Sequence, residues 1–375
     1  MRSEGQAVSV VMPVRNAMPF LDEAIASVLG QTHRNFELLI GDDGSTDGSS
    51  ECIGQWAARD ARIRVIRNDG KGLGPSGSSN WVARNATHGW IARMDADDIS
   101  RPDRLERQLL ALQANPDAVV IGSLFEIIDS VGGRIFGLNR RMLRKIGNDF
   151  PAAHASLMFR RDAFERAGGY RDACDYWEDN DLMLRMMRQG KAILLPEALL
   201  QYRFSATSSR LVADEIRVTR AVDLGTRCLT AYSIQGQYED ILEEEARRGP
   251  PPMVTAKTVA RLAYERLWRG DVRTMRSSWA RQNANIPWNA GGIAIRLFES
   301  WAMLNPASLR LLLKLRARYS DWRARNVIGA DEILVWTEEK AGWQKMRLPD
   351  AGEASVRSEP ATRSSASADF TTLLA

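Results

Sequence analysis

Three short acidic runs carry side chains able to do chemistry: Asp42-Asp43, Asp95-Ala96-Asp97 with Asp98 after it, and Glu178-Asp179. Two carboxylates one residue apart on a loop can share a divalent cation. Hard oxygen ligands select magnesium or manganese, which keep open positions for diphosphate oxygens. Asp95 and Asp97 therefore predict a Mg2+ or Mn2+ site. Such a pair alone is also what a solvated acidic loop looks like; the metal is favoured because the apolar run Trp90 to Met94 leads straight into it and a second acidic cluster ends another apolar run. Asp42-Asp43 in isolation is a turn with helix-capping carboxylates. At a strand end beside a nucleotide crevice the same carboxylates can accept from a base N–H or a ribose hydroxyl. Glu178-Asp179 suit the first turn of a helix, where the macrodipole favours negative charge. A carboxylate there, near other negative groups, can also take the proton of an attacking hydroxyl. Asp175 and Asp181 read as loop or first-turn charges. Of the three histidines, His33 and His88 read as structural, whereas His154 just precedes a strand entering the same region and is a candidate for acceptor or metal support.

The elements that must position these residues follow from pattern. Val8 to Val14 is a β-branched run ending at Arg15-Asn16, which reads as a buried strand and then a loop. Leu21, Ile25, Val28 and Leu29 form one face of a helix. Phe36 to Ile40 is a second strand, stopping in the turn-forming run Gly41 to Asp47. A helix around Ser49 to Arg59, a strand at Ile63 to Ile66, a glycine-rich loop from Gly70 to Gly77, a helix near Asn80 to Thr87 and a strand at Trp90 to Met94 continue the alternation. Beyond it, a helix over 104 to 114, strands at Ala118 to Leu124 and Ser156 to Phe159, a helix carrying Leu182, Met186 and Met187, and strands at Ala192 to Leu195 and Leu199 to Phe204 are expected. Alternating strands and helices predict an α/β protein built on a mainly parallel sheet. Ligands of such sheets sit beyond the carboxyl ends of the strands, so both acidic strand ends are expected to face one crevice.

Bulk properties narrow the class. At 375 residues the chain is long for one domain. The character changes near residue 210, which divides it into a catalytic domain over 1–210, a mostly helical region over 211–350 and a Ser/Ala/Thr-rich tail over 351–375 expected to be disordered. A formal net charge of +4 gives no whole-molecule field for nucleic acid. Three scattered cysteines, Cys52, Cys174 and Cys228, lack metal or redox spacing and suit a reducing compartment. No run of some 18 apolar residues and no signal-peptide pattern is found, so a cytoplasmic location is expected. Residues 306–326 interleave Arg310, Lys314, Arg316, Arg318, Arg323 and Arg325 with leucines. That pattern is a candidate contact with an anionic membrane, or a helix packed on the protein through its leucines.

Taken together, residues 7 to 210 resemble the family 2 glycosyltransferases of the GT-A fold. The resemblance rests on Val8-Ser9-Val10-Val11-Met12-Pro13-Val14-Arg15-Asn16, on the Asp-Asp-Gly-Ser-Thr-Asp run at 42 to 47, on Met94-Asp95-Ala96-Asp97-Asp98, on Phe159-Arg160-Arg161 with Gly168-Gly169-Tyr170, and on Glu178-Asp179 with Leu182 and Arg185. It implies that Pro13, Arg15 and Asn16 line the nucleotide sugar with Asp42 and Asp43, of which Asp42 holds the base, and that Asp95 and Asp97 hold ribose and metal. It implies Asp179, with Glu178 beside it, as catalytic base. It further implies inverting transfer of one sugar from a UDP-, dTDP- or GDP-sugar to a glycan or lipid-linked acceptor, in surface polysaccharide or lipopolysaccharide assembly. Two departures stand out: Ser205 occupies the position where many relatives carry a histidine, and the Gln-x-x-Arg-Trp of processive synthases is missing. A sugar nucleotidyltransferase would call for a glycine-rich, Arg/Lys-containing activation loop near the N-terminus, which the sequence lacks. An inactive binding or scaffold protein would be expected to have lost its carboxylates, and all three clusters are intact.

Overall fold

The computed structural model describes residues 6–128 apart from 69 and 71, then 132–136, 152–203, most of 221–248, and 332–337 with 342–347. Its centre is β1 (Val8–Val14), whose Val8, Val10, Val11 and Met12 are at most 1% exposed. A strand covered on both faces must be apolar on both, which is why this run does not alternate. Parallel neighbours flank β1: β2 (Phe36–Asp42) pairs Val14 with Asp42, and β4 (Trp90–Arg93) pairs Val11 with Arg93. Outside β2 lies β3 (Ile63–Arg67), also parallel. The connections are right for such a unit: α1 (Leu21–Leu29) buries Leu21, Ala24, Ile25 and Val28 on one face, α2 (Ser49–Ala57) follows β2, and α3 (Gly74–Arg84) follows β3.

Past β4 come the short β5 (Ile99–Ser100), α4 (Arg104–Gln113), β6 (Ala118–Ile128) and β7 (Arg134–Phe136). Then follow β8 (Met158–Arg160), α5 (Arg161–Arg166), α6 (Glu178–Met187) and β9 (Lys191–Arg203). Among the described residues the sheet order is β3-β2-β1-β4-β8-β6-β9, continued by β10 (Glu332–Thr337) and β11 (Gly342–Arg347). The chain is thus α/β, and the part that ends in acidic loops is parallel. β8 runs antiparallel between β4 and β6, and β6 and β9 are parallel to each other.

Two local expectations are revised. Residues 74–77, expected as glycine-rich loop, open α3; Pro75 supplies a fixed φ where a helix N-terminus needs no N–H. The two strands expected over 192–204 are one strand, β9, with an irregularity at Pro196, whose missing N–H cannot join the ladder. The regions across residue 210 also share structure. β10 pairs with β9 antiparallel, and Leu224, Cys228, Tyr232 and Tyr238 pack with Cys174, Trp177 and Leu184 in one apolar cluster. A further helix, α7 (Glu239–Arg248), ends the described part of that segment. The tail over 351–375, residues 306–326 and Ser205 lie outside the described residues, as does most of 211–350. No described helix is long and apolar enough to cross a membrane.

At the amino edge of the sheet, Glu37 joins β2 to its neighbours. It accepts from Ser9 Oγ of β1, from Thr87 N at 2.8 Å and Thr87 Oγ1 at 2.7 Å, and from Arg64 Nε of β3 at 3.0 Å. Burial alone would raise its pKa; the donors outweigh burial and hold it down at about 2. A carboxyl depressed in the fold adds stability above its unfolded pKa of 4.5 and loses it as pH falls from there toward about 2. Glu37→Gln is expected to cost on the order of 2 kcal/mol in urea unfolding at pH 7 and to flatten the loss of stability across that acid window. An unchanged acid limb would remove Glu37 from this role.

Candidate active site

β1, β2 and β4 are parallel, so their carboxyl ends bring three loops to one edge of the sheet. The loops after β1 and β2 are sewn together by the polar run that follows Asp42. Asn16, at φ 52°, accepts at Oδ1 from Thr46 N at 2.8 Å, and its own N–H donates to Ser45 Oγ at 3.1 Å. Ala17 N donates to Ser49 Oγ at 3.0 Å and Met18 N to Asp47 Oδ2 at 2.9 Å. Asn tolerates the left-handed conformation better than most residues, which explains its place at the tip. Asp42 faces inward: Oδ1 accepts from Ser45 N at 3.0 Å and Oδ2 from Ser50 Oγ. Asp43 accepts from Asn68 Nδ2 at 2.6 Å and Leu73 N at 2.8 Å, so it ties the loop before α3 to β2. These two carboxylates are only 3% and 2% exposed, and they build the rim as much as they line it. What the rim presents outward is Arg15 and Asn16, with Pro13 half-buried behind them. The Arg15 guanidinium lies against Gly72, in the space a Cβ there would take.

The loop after β4 is held from beneath by three arginines. Arg93, only 7% exposed, places Nη2 2.8 Å from Asp95 Oδ1 and donates to Met94 O. Arg104 of α4, 1% exposed, donates to Ala155 O and, at 3.0 Å, to Arg93 O. Burial lowers its pKa to about 10, against the pull of Asp98 and Asp95. Arg203, at the end of β9, donates from its backbone N to Asp98 Oδ1 at 2.8 Å and from Nε to Asp97 O at 2.8 Å; its Nη2 reaches Glu23 and its guanidinium lies 4.7 Å over the Phe20 ring. Despite these cations, burial first and the charge of Asp95 second push Asp97 up to about 7. Asp98 is fully buried and also raised, by burial and then by Asp97 and Asp95, and its Oδ2 has no partner among the described residues. Negative charge at this strand end is therefore under-compensated. A pair of partly exposed carboxylates with surplus charge and hard oxygen donors fits a divalent cation of the Mg2+ or Mn2+ type. Among the described residues no group of three or more His, Cys, Asp or Glu side chains is arranged to hold a metal by itself.

The third cluster arrives from α6, across the sheet edge. Glu178 and Asp179 are half-buried in its first turn, with Asp179 Oδ1 accepting from Asn180 N at 2.8 Å. Between the clusters stands Tyr170, which is 4% exposed. Burial raises the pKa of its hydroxyl; Arg93 opposes this, while Glu178, Asp179 and Asp95 reinforce it. One phenol feeling all of these charges places the α6 carboxylates and the β4 carboxylate in one neighbourhood. His154 Nε2 lies 2.8 Å from Tyr170 Oη, and the rings meet edge-on at 5.4 Å, so His154 enters the site through Tyr170. Asp175 lies in the loop before α6, as expected, and accepts from Ser76 N at 3.1 Å in the first turn of α3. Asp181 lies in the first turn of α6, as expected, where it is fully buried against Arg185. Arg93 and Arg104 carry no catalytic signal in the sequence; the available clue is an arginine among apolar neighbours, as in Ile91-Ala92-Arg93-Met94.

The carboxyl edge of the parallel strands carries the acidic loops after β2 and β4, and the α6 carboxylates add a third acidic cluster. The model of glycosyl transferase family 2 matches residues 9–168. EpsE of Bacillus subtilis (strain 168), provisionally named a glycosyltransferase, is 35% identical over 212 residues, covering 54% of this chain and 74% of EpsE. The O-antigen biosynthesis glycosyltransferase WbnJ of Escherichia coli is 31% identical over 211 residues, covering 54% of this chain and 82% of WbnJ. The chain belongs to the family 2 glycosyltransferases and is an enzyme of that class. A solved mannosyltransferase from Pyrobaculum calidifontis, in complex with GDP-Man and Mn2+, covers 85% of this chain and 88% of its own at 18% identity and a TM-score of 0.48, a superposition too loose to carry weight for ligand or metal.

The Arg203 side chain contributes a hydrogen bond to Asp97 O and an ion pair with the exposed Glu23, while its backbone N–H holds Asp98 whatever the side chain. Arg203→Met is expected to destabilise the fold by about 1–3 kcal/mol in urea unfolding, chiefly through the Asp97 carbonyl left without its donor. A loss below about 0.5 kcal/mol would show that the Asp95 loop does not depend on this side chain.

Proposed function

We propose that this glycosyltransferase moves a single sugar from a UDP-, dTDP- or GDP-sugar to an acceptor hydroxyl, with inversion, in the assembly of a cell-surface polysaccharide or lipopolysaccharide. The observation that carries the reading is that Asp95, paired with Arg93, and the α6 carboxylates Glu178 and Asp179 all act by charge on the one buried hydroxyl of Tyr170. One cluster suits the leaving diphosphate and the other suits the attacking hydroxyl, with no enzymic nucleophile between them. The relation to WbnJ, named for O-antigen biosynthesis, supports the pathway class.

In this reading Pro13, Arg15, Asn16, Asp42 and Asp43 hold the nucleotide, Asp42 and Asp43 largely through the loops they brace. Asp95 and Asp97 would hold Mg2+ or Mn2+, and the bound cation would offset charge building on the diphosphate. Asp179 takes the proton of the acceptor hydroxyl as its oxygen attacks the anomeric carbon and the bond to the diphosphate breaks, and Glu178 supports it. A single displacement inverts the anomeric centre. His154 orients Tyr170 on the acceptor side. With Ser205 in place of a histidine, the protein's share of the cation's ligands falls on the two aspartates. We take the enzyme to be cytoplasmic, with the basic run at 306–326 as the element able to meet an anionic membrane bearing a lipid-linked acceptor.

Release of nucleoside diphosphate from a panel of UDP-, GDP- and dTDP-sugars tests this directly. Manganese or magnesium is expected to support release from one donor, EDTA to stop it, and Asp97→Ala and Asp179→Asn each to lower it by roughly 10²–10⁴-fold. Metal-independent release, or full activity in either variant, would sink the assignment. Analysis of the glycan product by mass spectrometry and NMR is expected to show one added sugar of inverted anomeric configuration, and long polymers would overturn the single-sugar reading.

A further inference from the structure

The first turn of α6 carries Glu178 and Asp179 yet has little of its own to fix it. No side chain caps its N-terminus, where four backbone N–H groups lack helical partners. Tyr176, two residues ahead of Glu178, sits at φ 70°, a left-handed conformation that a bulky residue holds only when its surroundings enforce it.

Residues beyond 220 pack against the residues that follow Tyr176. A Cβ on Gly225 would stand 2.4 Å from Cδ1 and 2.5 Å from Nε1 of Trp177, so the Gly225 backbone lies directly against the indole that precedes α6. One turn further, Asp181 is fully buried; Tyr238 Oη donates to its Oδ1 at 2.8 Å, Arg185 Nε to its Oδ2 at 3.1 Å, and Arg171 Nη1 stands 3.6 Å from Oδ1. Tyr238 is itself fully buried, and its ring meets Trp177 edge-on at 6.0 Å. The far end of α6 is held as well: Arg188 donates to Glu239 Oε1 at 3.2 Å and to Gly236 O, with its guanidinium 5.2 Å over the Tyr232 ring. A segment that only covered apolar surface would not need a buried hydroxyl aimed at a carboxylate two residues from Asp179.

We propose that the segment over 221–248 is a brace that sets the position of Glu178 and Asp179, with Tyr238 as a positioning residue acting through Asp181. This rests on the reading of Asp179 as base, and the test separates the two. In the full chain, Tyr238→Phe keeps the ring contacts and removes only the hydroxyl. Hydrogen exchange is expected to quicken about tenfold or more in peptides over 176–184 while those of α1 and α4 stay unchanged. Gly225→Ala is expected to loosen the same peptides by displacing Trp177. Hydrolysis of a mixture of UDP-, GDP- and dTDP-hexoses with Mn2+, water serving as acceptor, should fall about tenfold in Tyr238→Phe with the half-saturating donor concentration unchanged. Unchanged exchange over 176–184, an even rise along the whole chain, or local loosening without loss of hydrolysis would each overturn the brace. Wild-type hydrolysis by Asp179→Asn would instead overturn the base assignment and leave the exchange result to decide the brace.

Discussion

Three carboxylates within four residues, at the end of an apolar strand, cannot be packed against a protein interior without opposite charge close by, because burial penalises each ionised group heavily. Arg93, Arg104 and Arg203 supply that charge from β4, α4 and β9. Much of the architecture beyond the first four strands follows from this need. β9 must run far enough for Arg203 to reach Asp97 and Asp98, and α4 must enter close enough for Arg104 to lie under Met94. The balance is incomplete: Asp97 remains pushed up to about 7 by burial and by Asp95. A site that keeps surplus negative charge where a cation and a diphosphate are expected has its electrostatics arranged before either arrives.

The loops after β1 and β2 show the same economy with short polar side chains. Ser45, Thr46, Asp47 and Ser49 use their short polar side chains to hold the Asn16 loop, and Asp43 reaches over to Asn68 and Leu73. Loops tied by such hydrogen bonds across adjacent strand ends hold their shape without a large apolar contact. The α6 carboxylates differ: they ride on a helix whose first turn packs against residues some fifty positions further along the chain, with Gly225 on Trp177 and Tyr238 on Asp181.

The class of fold and the family were legible in the sequence because both rest on local pattern. A parallel central strand must be apolar on both faces, so Val8 to Val14 announces itself, and a strand running into Asp95-Ala96-Asp97 marks the carboxyl edge. Turn chemistry likewise marks the loop after Asp42. Less legible was the start of α3, since Gly74, Pro75 and Gly77 resemble a loop until Leu73 and Ser76 gain their partners Asp43 and Asp175 from elsewhere.

The sequence by itself therefore determined the alternation of strands and helices, the three carboxylate clusters and the kind of chemistry they suit, since each depends on residues within a few positions of one another. Only the tertiary structure decided that Arg93, Arg104 and Arg203 surround the Asp95 loop, that His154 meets Tyr170, and that the first-turn charge Asp181 is a buried partner of Tyr238 and Arg185. Charge and hydrogen bonding act through space over a few ångströms and without regard to separation along the chain. A linear pattern shows that an aspartate or arginine is present, and only the fold shows what stands opposite it.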